Sequence, residues 1–382
     1  MPRPRRLGVT RPTILLAAAA LIALPSAGRA APAPSIDAES WILVNPTTGE
    51  TLARHAPDRE LPMASTTKIM TALLALEHGN LGAMVTVPPD AATIGGSTAE
   101  LVPGERLPVR SLLVALLIPS GNDAAVTLAD YLGDGSRQAF VAMMNRRAAQ
   151  LGLGRTHYES PEGLDRPDQY STVRNLVRLA RVAMTHPLFR SIVSHRRATI
   201  SGPGGRGTRR LESENDLLSI DPDADGVKTG HTAGAGYAMV AHAERRGVAL
   251  YAAMIGEPTE LHRAQDAERL LNWGFSQYAR PTELRAGEVL ARAAVRDRPG
   301  VRVAARVSRP LAAVVRLGVP MRASVVLPPE VNAPIRAGQV LGHVTVRAGG
   351  RVVGRRALVA ATDVAGPGVL DRVRAGWDRL VP

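Results

Sequence analysis

The alternation of apolar and polar residues along the chain marks its elements before any chemistry is considered. From Ser40 to Ala53 the two kinds alternate on either side of Pro46-Thr47-Thr48-Gly49, which predicts a β-hairpin with a longer turn. Ser65 to His78 puts Ile69, Leu73, Leu74 and Leu76 on one helical face and stops at Gly79, where a C-terminal cap belongs. Ser111 to Ile118 predicts a second helical segment that Pro119 interrupts, and Asn122 to Leu132 resumes it. Pro119-Ser120-Gly121-Asn122 is then a tight polar connection inside an apolar stretch. Helical spacing recurs over Arg137 to Leu151 and Thr172 to Thr185, whereas Gly236 to Ala243 and Val248 to Ile255 predict adjacent strands joined at Glu244-Arg245-Arg246-Gly247. Helices mixed with antiparallel hairpins favour an α+β domain over a doubly wound one.

Beyond Arg280 the texture changes. Short valine-rich runs, Val301 to Val307, Ala312 to Leu317, Ser324 to Leu327, Gln339 to Val346 and Arg351 to Val359, are separated by glycine and proline turns, as in a small β-sandwich. In the last segment Val369, Leu370, Val373, Trp377, Leu380 and Val381 fall at helical spacing, with Asp371, Arg372, Arg374, Asp378 and Arg379 on the other faces. Such a helix packs on a domain or lies on a membrane surface. At the opposite end Arg3, Arg5, Arg6 and Arg11 precede the apolar stretch Ile14 to Leu24, and Gly28-Arg29-Ala30 offers a small-x-small cleavage site. This predicts an export signal, by the general route rather than the twin-arginine one, and a mature chain starting near Ala31. The expected organisation is a signal over 1–30, an α+β domain over 31–280, a β-rich domain over 281–364 and an amphipathic, membrane-associating helix over 365–382. The expected location is the periplasm or the extracytoplasmic face of the cytoplasmic membrane, with peripheral attachment.

Composition narrows the chemistry. With 382 residues, 45% of them hydrophobic, the chain suits two folded domains. Having no cysteine, it has no disulfide, thiolate nucleophile or cysteine metal site, and its nine histidines show neither HxH nor HExxH spacing, so no metal and no cofactor is expected. Charge divides unevenly: residues 31–280 carry a net −2 and residues 281–382 a net +10. The basic part lacks interleaved aromatics, which disfavours nucleic acid and favours an anionic cell surface. Of the 47 basic residues only Lys68 and Lys228 are lysines. Codon bias accounts for the arginine excess, but arginine cannot give up its proton in a protein and lysine can, so the two survivors are the candidates for chemistry.

Lys68 lies three residues after Ser65 in Ser65-Thr66-Thr67-Lys68 at the start of a predicted helix, where positions i and i+3 share a face. A serine hydroxyl is a poor nucleophile until a base takes its proton, and a neutral amine one turn away can do so. The Ser65 N–H, unpaired at a helix start, can help hold an oxyanion. Lys228 opens Lys228-Thr229-Gly230, followed by His231. That combination gives a cation and a hydroxyl suited to a carboxylate, with a glycine that lets substrate backbone lie close along a strand. Taken singly, Ser65 reads as an N-cap and Ser120 as a turn hydroxyl.

Together, Ser65-x-x-Lys68, Ser120-Gly121-Asn122 and Lys228-Thr229-Gly230 occur in the order that resembles the penicillin-recognising serine peptidases, and within them the low-molecular-mass penicillin-binding proteins that are D-alanyl-D-alanine carboxypeptidases. The resemblance implies a β-lactamase/transpeptidase-like domain, a five-stranded antiparallel sheet with helices, and then the β-rich domain and C-terminal helix. It implies catalytic roles for Ser65, Lys68 and Ser120. Ser65 attacks the peptide bond between two D-alanines, Lys68 acts as base, and Ser120 relays a proton to the leaving D-alanine. It further implies that Asn122, Lys228, Thr229, Gly230 and His231 bind substrate, and that the Ser65 and His231 N–H groups form an oxyanion hole. Burial and the Lys228 charge are expected to lower the Lys68 pKa. The implied partners are peptidoglycan stem peptides ending in D-Ala-D-Ala, β-lactams as covalent inhibitors, and the outer face of the membrane. A secreted serine β-lactamase, a transpeptidase and a non-catalytic wall-binding protein are the rival readings.

Overall fold

The computed structural model describes residues 18–24, 31–279, 282–296, 298–366 and 368. The chain divides into two compact units, Ala31–Ser276 and Gln277–Pro382 with Met1–Ala30.

The first unit is built on five strands, β1 (Ser40–Asn45), β2 (Glu50–His55), β3 (Ala224–Thr232), β4 (Gly236–Arg245) and β5 (Val248–Glu257). They form one antiparallel sheet in the order β2-β1-β5-β4-β3, so that β3 lies at an edge. Seven helices of more than one turn flank it, with a further single turn at Leu217–Ile220: α1 (Lys68–His78), α2 (Val109–Leu117), α3 (Asn122–Leu132), α4 (Arg137–Gln150), α5 (Val173–Ala183), α6 (Pro187–Val193) and α7 (Glu260–Ser276). Period-two alternation predicted β1 correctly but not its burial, which is continuous. Ile42 and Val44 join the helical core, whereas Leu43, on the other face, lies so close to α7 that a Cβ on Gly274 would stand 2.6 Å from it. A strand covered on both faces buries every position.

α1 runs through the middle of the helical cluster, against α2, α3, α4 and α5. Its predicted first turn is a separate 3-10 turn, Ala64–Thr67, and the α-helix starts at Lys68. Gly79 ends the helix in an extended conformation, with φ −84° and ψ 144° rather than the left-handed one, and a Cβ there would stand 2.5 Å from the Ala75 carbonyl oxygen. Close approach, not a positive φ, demands the glycine.

Hydrophobic periodicity does not mark every element. β3 interleaves Gly226, Lys228 and Gly230 with its apolar residues, and α7 turns Arg263 and Asp266 inward among Ala264, Ala267, Leu270 and Leu271. Buried polar groups interrupt both patterns because other parts of the fold satisfy them.

The second unit centres on a seven-stranded sheet in the order Ala18–Leu24, Met321–Leu327, Val340–Ala348, Arg351–Ala360, Arg302–Val307, Val289–Val295, Glu330–Val331. Val303, Ala305, Val325, Val344, Val346 and Leu358 fill its core, and a ribbon of Thr282–Leu284 with Leu311–Ala312 covers part of it, Leu284 and Leu311 belonging to the same cluster. The valine-rich run at 312–317 is divided between two two-residue strands, Leu311–Ala312 and Val315–Arg316. Part of the predicted export signal is placed here: Ala18–Leu24 pairs antiparallel with Met321–Leu327. An extended segment supplies the hydrogen bonds that an open sheet edge lacks. The predicted C-terminal amphipathic helix lies outside the described residues, as do the Arg3 to Arg11 and Gly28 to Ala30 parts of the signal. Among the described residues no helix is long and apolar enough to cross a membrane.

Candidate active site

The 3-10 turn before α1 holds Ser65 half-exposed, and Ala64 just before it takes φ +48°, a strained value for a residue with a side chain. One turn on, Lys68 is fully buried. Its Nζ lies 2.7 Å from Ser65 Oγ, 2.6 Å from Asn122 Oδ1 and 2.8 Å from the Glu162 carbonyl oxygen. A neutral amine has two N–H groups and one lone pair. Asn122 Oδ1 and the Glu162 carbonyl can only accept, so they take the two N–H groups and the lone pair is left for the Ser65 O–H. Burial, followed by the nearby Lys228 charge, lowers the Lys68 pKa to about 7.

The roof over Lys68 comes from the segment 159–164. Thr71 Oγ1 donates to the Pro161 carbonyl at 2.6 Å, and Gly163, at φ +95°, crosses the 3-10 turn so closely that a Cβ would stand 2.1 Å from the Ala64 carbonyl oxygen. In the sequence Glu159 and Glu162 lack the context of a deacylating glutamate and have no other assigned role, since the segment's contribution to the site is a main-chain carbonyl.

Ser120 occupies the connection between α2 and α3 with φ +62°. Its hydroxyl is buried and has no hydrogen-bond partner among the described residues, which leaves it open to a group brought by a ligand. Asn122 is used first inside the protein: besides accepting from Lys68 it donates from Nδ2 to the Gly95 carbonyl at 2.7 Å. Its second Nδ2 hydrogen is still available. Asp123 pins the facing loop by accepting from Thr98 Oγ1 at 2.6 Å and from Leu101 N at 2.9 Å.

Lys228, Thr229, Gly230 and His231 lie on the edge strand β3, beside the Ser65 turn. A Cβ on Gly230 would sit 2.7 Å from Ser65 N, so the glycine keeps the space before that N–H open. Lys228 is buried, donates to the Thr229 carbonyl at 2.8 Å, and has its pKa lowered to about 8 by burial. The Thr229 hydroxyl and Arg263 both reach the Glu214 carbonyl, at 3.4 and 3.3 Å. Arg263, only 3% exposed, brings a second cation whose charge also lowers the Lys228 pKa. Sequence reasoning missed Arg263, because nothing local sets it apart from the other arginines and only burial on α7 does. The His231 side chain is exposed and stacks on Tyr237, ring centres 4.0 Å apart. Asp165 ties the turn after β3 to the roof segment, accepting from Thr232 Oγ1 at 2.7 Å and Gly234 N at 2.9 Å.

The structure therefore brings Ser65, Lys68 and Asn122 into one hydrogen-bonded cluster, sets Gly230 against it, and gathers Thr229 and Arg263 at the Glu214 carbonyl, with Lys228 bonded to the Thr229 carbonyl. Such an arrangement can activate a hydroxyl, stabilise an oxyanion and hold a carboxylate.

Comparison with known proteins agrees with this chemistry. The family model described as D-alanyl-D-alanine carboxypeptidase, peptidase S11, matches residues 27–259, and that of the penicillin-binding protein 5 C-terminal domain matches 284–365. The D-alanyl-D-alanine carboxypeptidase DacC of Escherichia coli is 34% identical over 365 residues, covering 91% of this chain and 88% of its own. A D-alanyl-D-alanine carboxypeptidase of a Streptomyces species is 37% identical over 277 residues, 69% of this chain and 94% of its own. The crystal structure of the Streptomyces K15 DD-transpeptidase aligns with a TM-score of 0.62 at 35% identity, covering 64% of this chain and all of that one.

Proposed function

The chain belongs to the D-alanyl-D-alanine carboxypeptidase family of peptidase S11 and is a penicillin-binding, serine-type D-Ala-D-Ala carboxypeptidase, and from that premise we propose how its own residues perform the reaction. Neutral Lys68 takes the proton of Ser65, whose Oγ attacks the carbonyl carbon of the penultimate D-alanine of a peptidoglycan stem peptide. The N–H groups of Ser65 and His231 hold the oxyanion, and Gly230 leaves them room. Ser120 passes a proton to the departing D-alanine amine, and the carbon–nitrogen bond breaks to leave an acyl group on Ser65. Lys228, Thr229 and Arg263 hold the terminal carboxylate, while the second Nδ2 hydrogen of Asn122 reaches a substrate carbonyl. Water then cleaves the ester and returns the proton to Ser65. A β-lactam acylates the same oxygen.

One observation supports this reading above the others: the Lys68 amine is 2.7 Å from Ser65 Oγ while its N–H groups are occupied by two carbonyl oxygens. The test is Ser65→Ala, which should abolish covalent labelling by fluorescent penicillin and, by mass spectrometry, the loss of one alanine from a D-Ala-D-Ala pentapeptide. Labelling that persists removes Ser65 from the role, and product joined to an added amine marks a transpeptidase.

The same proposal places the protein outside the cytoplasmic membrane, exported through residues 1–30 and attached to the lipid surface through 365–382 and the basic domain. The described strands Met321–Leu327, Val340–Ala348 and Arg351–Ala360 hold five arginines and no acidic residue. Arg322 stands directly opposite Arg347, and Arg355 lies opposite Thr345, two residues before Arg347 on the same face. Like charges opposed across strands are unfavourable unless an anion lies over them. Anionic headgroups supply one.

A further inference from the structure

Tyr237 is the second residue of β4 and stands directly opposite His231 on β3. Directly opposed residues put their side chains on one face of the sheet, and the two rings stack with centres 4.0 Å apart. α7 packs against the same strand and turns Arg263 inward, so that its guanidinium carbon lies over the Tyr237 ring, 5.7 Å from the ring centre. One half-buried ring therefore borders both the residue whose N–H is assigned to the oxyanion and the cation assigned to the terminal carboxylate.

Arg263 needs such a neighbour. It is buried, and its side-chain bonds all run through one nitrogen: Nη2 donates to the Glu260 carboxylate at 2.9 Å and to the Glu214 carbonyl at 3.3 Å, and lies 3.5 Å from the Asp216 carboxylate. Nε is buried with no hydrogen-bond partner among the described residues, and Nη1 makes no hydrogen bond there either. A planar cation held at one corner is free to tilt about that corner, which swings Nη1 toward a ligand or away from it. The negative face of an aromatic ring opposes the tilt, because a guanidinium is attracted to it within about 6 Å of the ring centre.

Resting on the carboxypeptidase reading above, in which Arg263 holds the terminal carboxylate, we propose that Tyr237 is a positioning residue for that carboxylate. Its ring keeps the guanidinium plane of Arg263 turned so that Nη1 meets the substrate. Through the stack on His231 it ties this setting to the strand that borders the Ser65 turn. The ring face does this and the hydroxyl does not, since the Tyr237 hydroxyl makes no hydrogen bond among the described residues while the ring makes both contacts.

The test compares acylation of the full chain by benzylpenicillin and by its methyl ester, which lacks the carboxylate charge, and reads the ratio of the two second-order rate constants. The wild type should favour the free acid by about 10²-fold, and Arg263→Ala should lower that ratio by about tenfold, the worth of one charge-assisted bond. Tyr237→Leu should lower it by about fivefold, the worth of one cation–ring contact, whereas Tyr237→Phe should keep it. Pentafluorophenylalanine at position 237 preserves the shape of the ring and reverses its charge distribution, so it should lower the ratio as leucine does without disturbing the fold. A Tyr237 with a purely structural role would slow both reagents alike. A wild-type ratio near one, an unchanged ratio in the fluorinated variant, or a loss in Tyr237→Phe as large as in Tyr237→Leu overturns the positioning role. A ratio that Arg263→Ala leaves unaltered removes Arg263 from the carboxylate, and this proposal with it. A wild type that penicillin does not acylate overturns the Ser65 reading itself, and the positioning role with it.

Discussion

The two units of this protein treat positive charge in opposite ways. In the first, many arginines are held by acids: Arg137 by Asp90 and Asp130, Arg174 by Asp58, Arg245 by Asp221 and Asp223, and the buried Arg209 by Glu105. Its two lysines form no ion pair among the described residues; both are buried, and burial lowers both pKa values. In the second, the described residues include the pair of Arg296 with Glu330, and Arg322, Arg347 and Arg355 on three neighbouring strands face no acid on those strands. Arginine locks the first unit together and charges the surface of the second. Lysine is kept where a proton must leave or where a compact ammonium must fit, because arginine's pKa is too high for the one and its fork too large for the other. A single net charge for the whole chain conceals this division.

The contrast can be broken most severely at Lys68. Lys68→Arg should slow penicillin acylation by about 10²- to 10⁴-fold, as much as Lys68→Ala, since arginine keeps the charge but supplies no base. Stopped-flow acylation measures both, and near-normal rates for the arginine variant would separate lysine from the base role. Gly230→Ala should cost about 10²- to 10³-fold, because the new Cβ would stand 2.7 Å from Ser65 N in the space an oxyanion needs. An unimpaired alanine variant would place the oxyanion elsewhere.

In the second unit the triple substitution Arg322→Ser, Arg347→Ser and Arg355→Ser should leave penicillin acylation unaltered. It should weaken binding of the full chain to vesicles rich in phosphatidylglycerol by about 3 kcal/mol at low salt, counting about 1 kcal/mol for each arginine. Co-sedimentation decides this, and equal binding by both proteins would show that these three arginines are not used at lipid. The mildest test is pH. Activity needs Lys68 without its proton and Lys228 with one, so acylation should rise with pH through about 7 and decline above about 8. Both limbs belong to the coupled pair and not to one residue. Each should change the rate severalfold per pH unit, and a flat profile from pH 6 to 9 would contradict the two lowered pKa values.

Much of this was legible in the residues. The i, i+3 spacing of Ser65 and Lys68, the polar break at Ser120-Gly121-Asn122 and the Lys228-Thr229-Gly230 run each follow from local geometry, and the hairpin of β1 and β2 follows from period-two alternation. Other features carried no local signal. Arg263 looks like any surface arginine until α7 buries it, Asp123 and Asp165 look like ordinary turn acids until they clamp loops, and Glu162 contributes first through its main chain. The helix over 260–276 is marked poorly because its inward face contains an arginine and an aspartate.

The sequence alone determined which atoms are able to react: a hydroxyl, an amine that can be neutral, a second amine and a glycine without a Cβ are properties of residue type and spacing. Only the tertiary structure decided what those atoms do. The Lys68 pKa depends on burial under the 159–164 segment and on the charge of Lys228, 160 positions away in the chain. Chemical identity is local and survives in a string of letters, whereas electrostatic environment sums over every neighbour that the fold brings near.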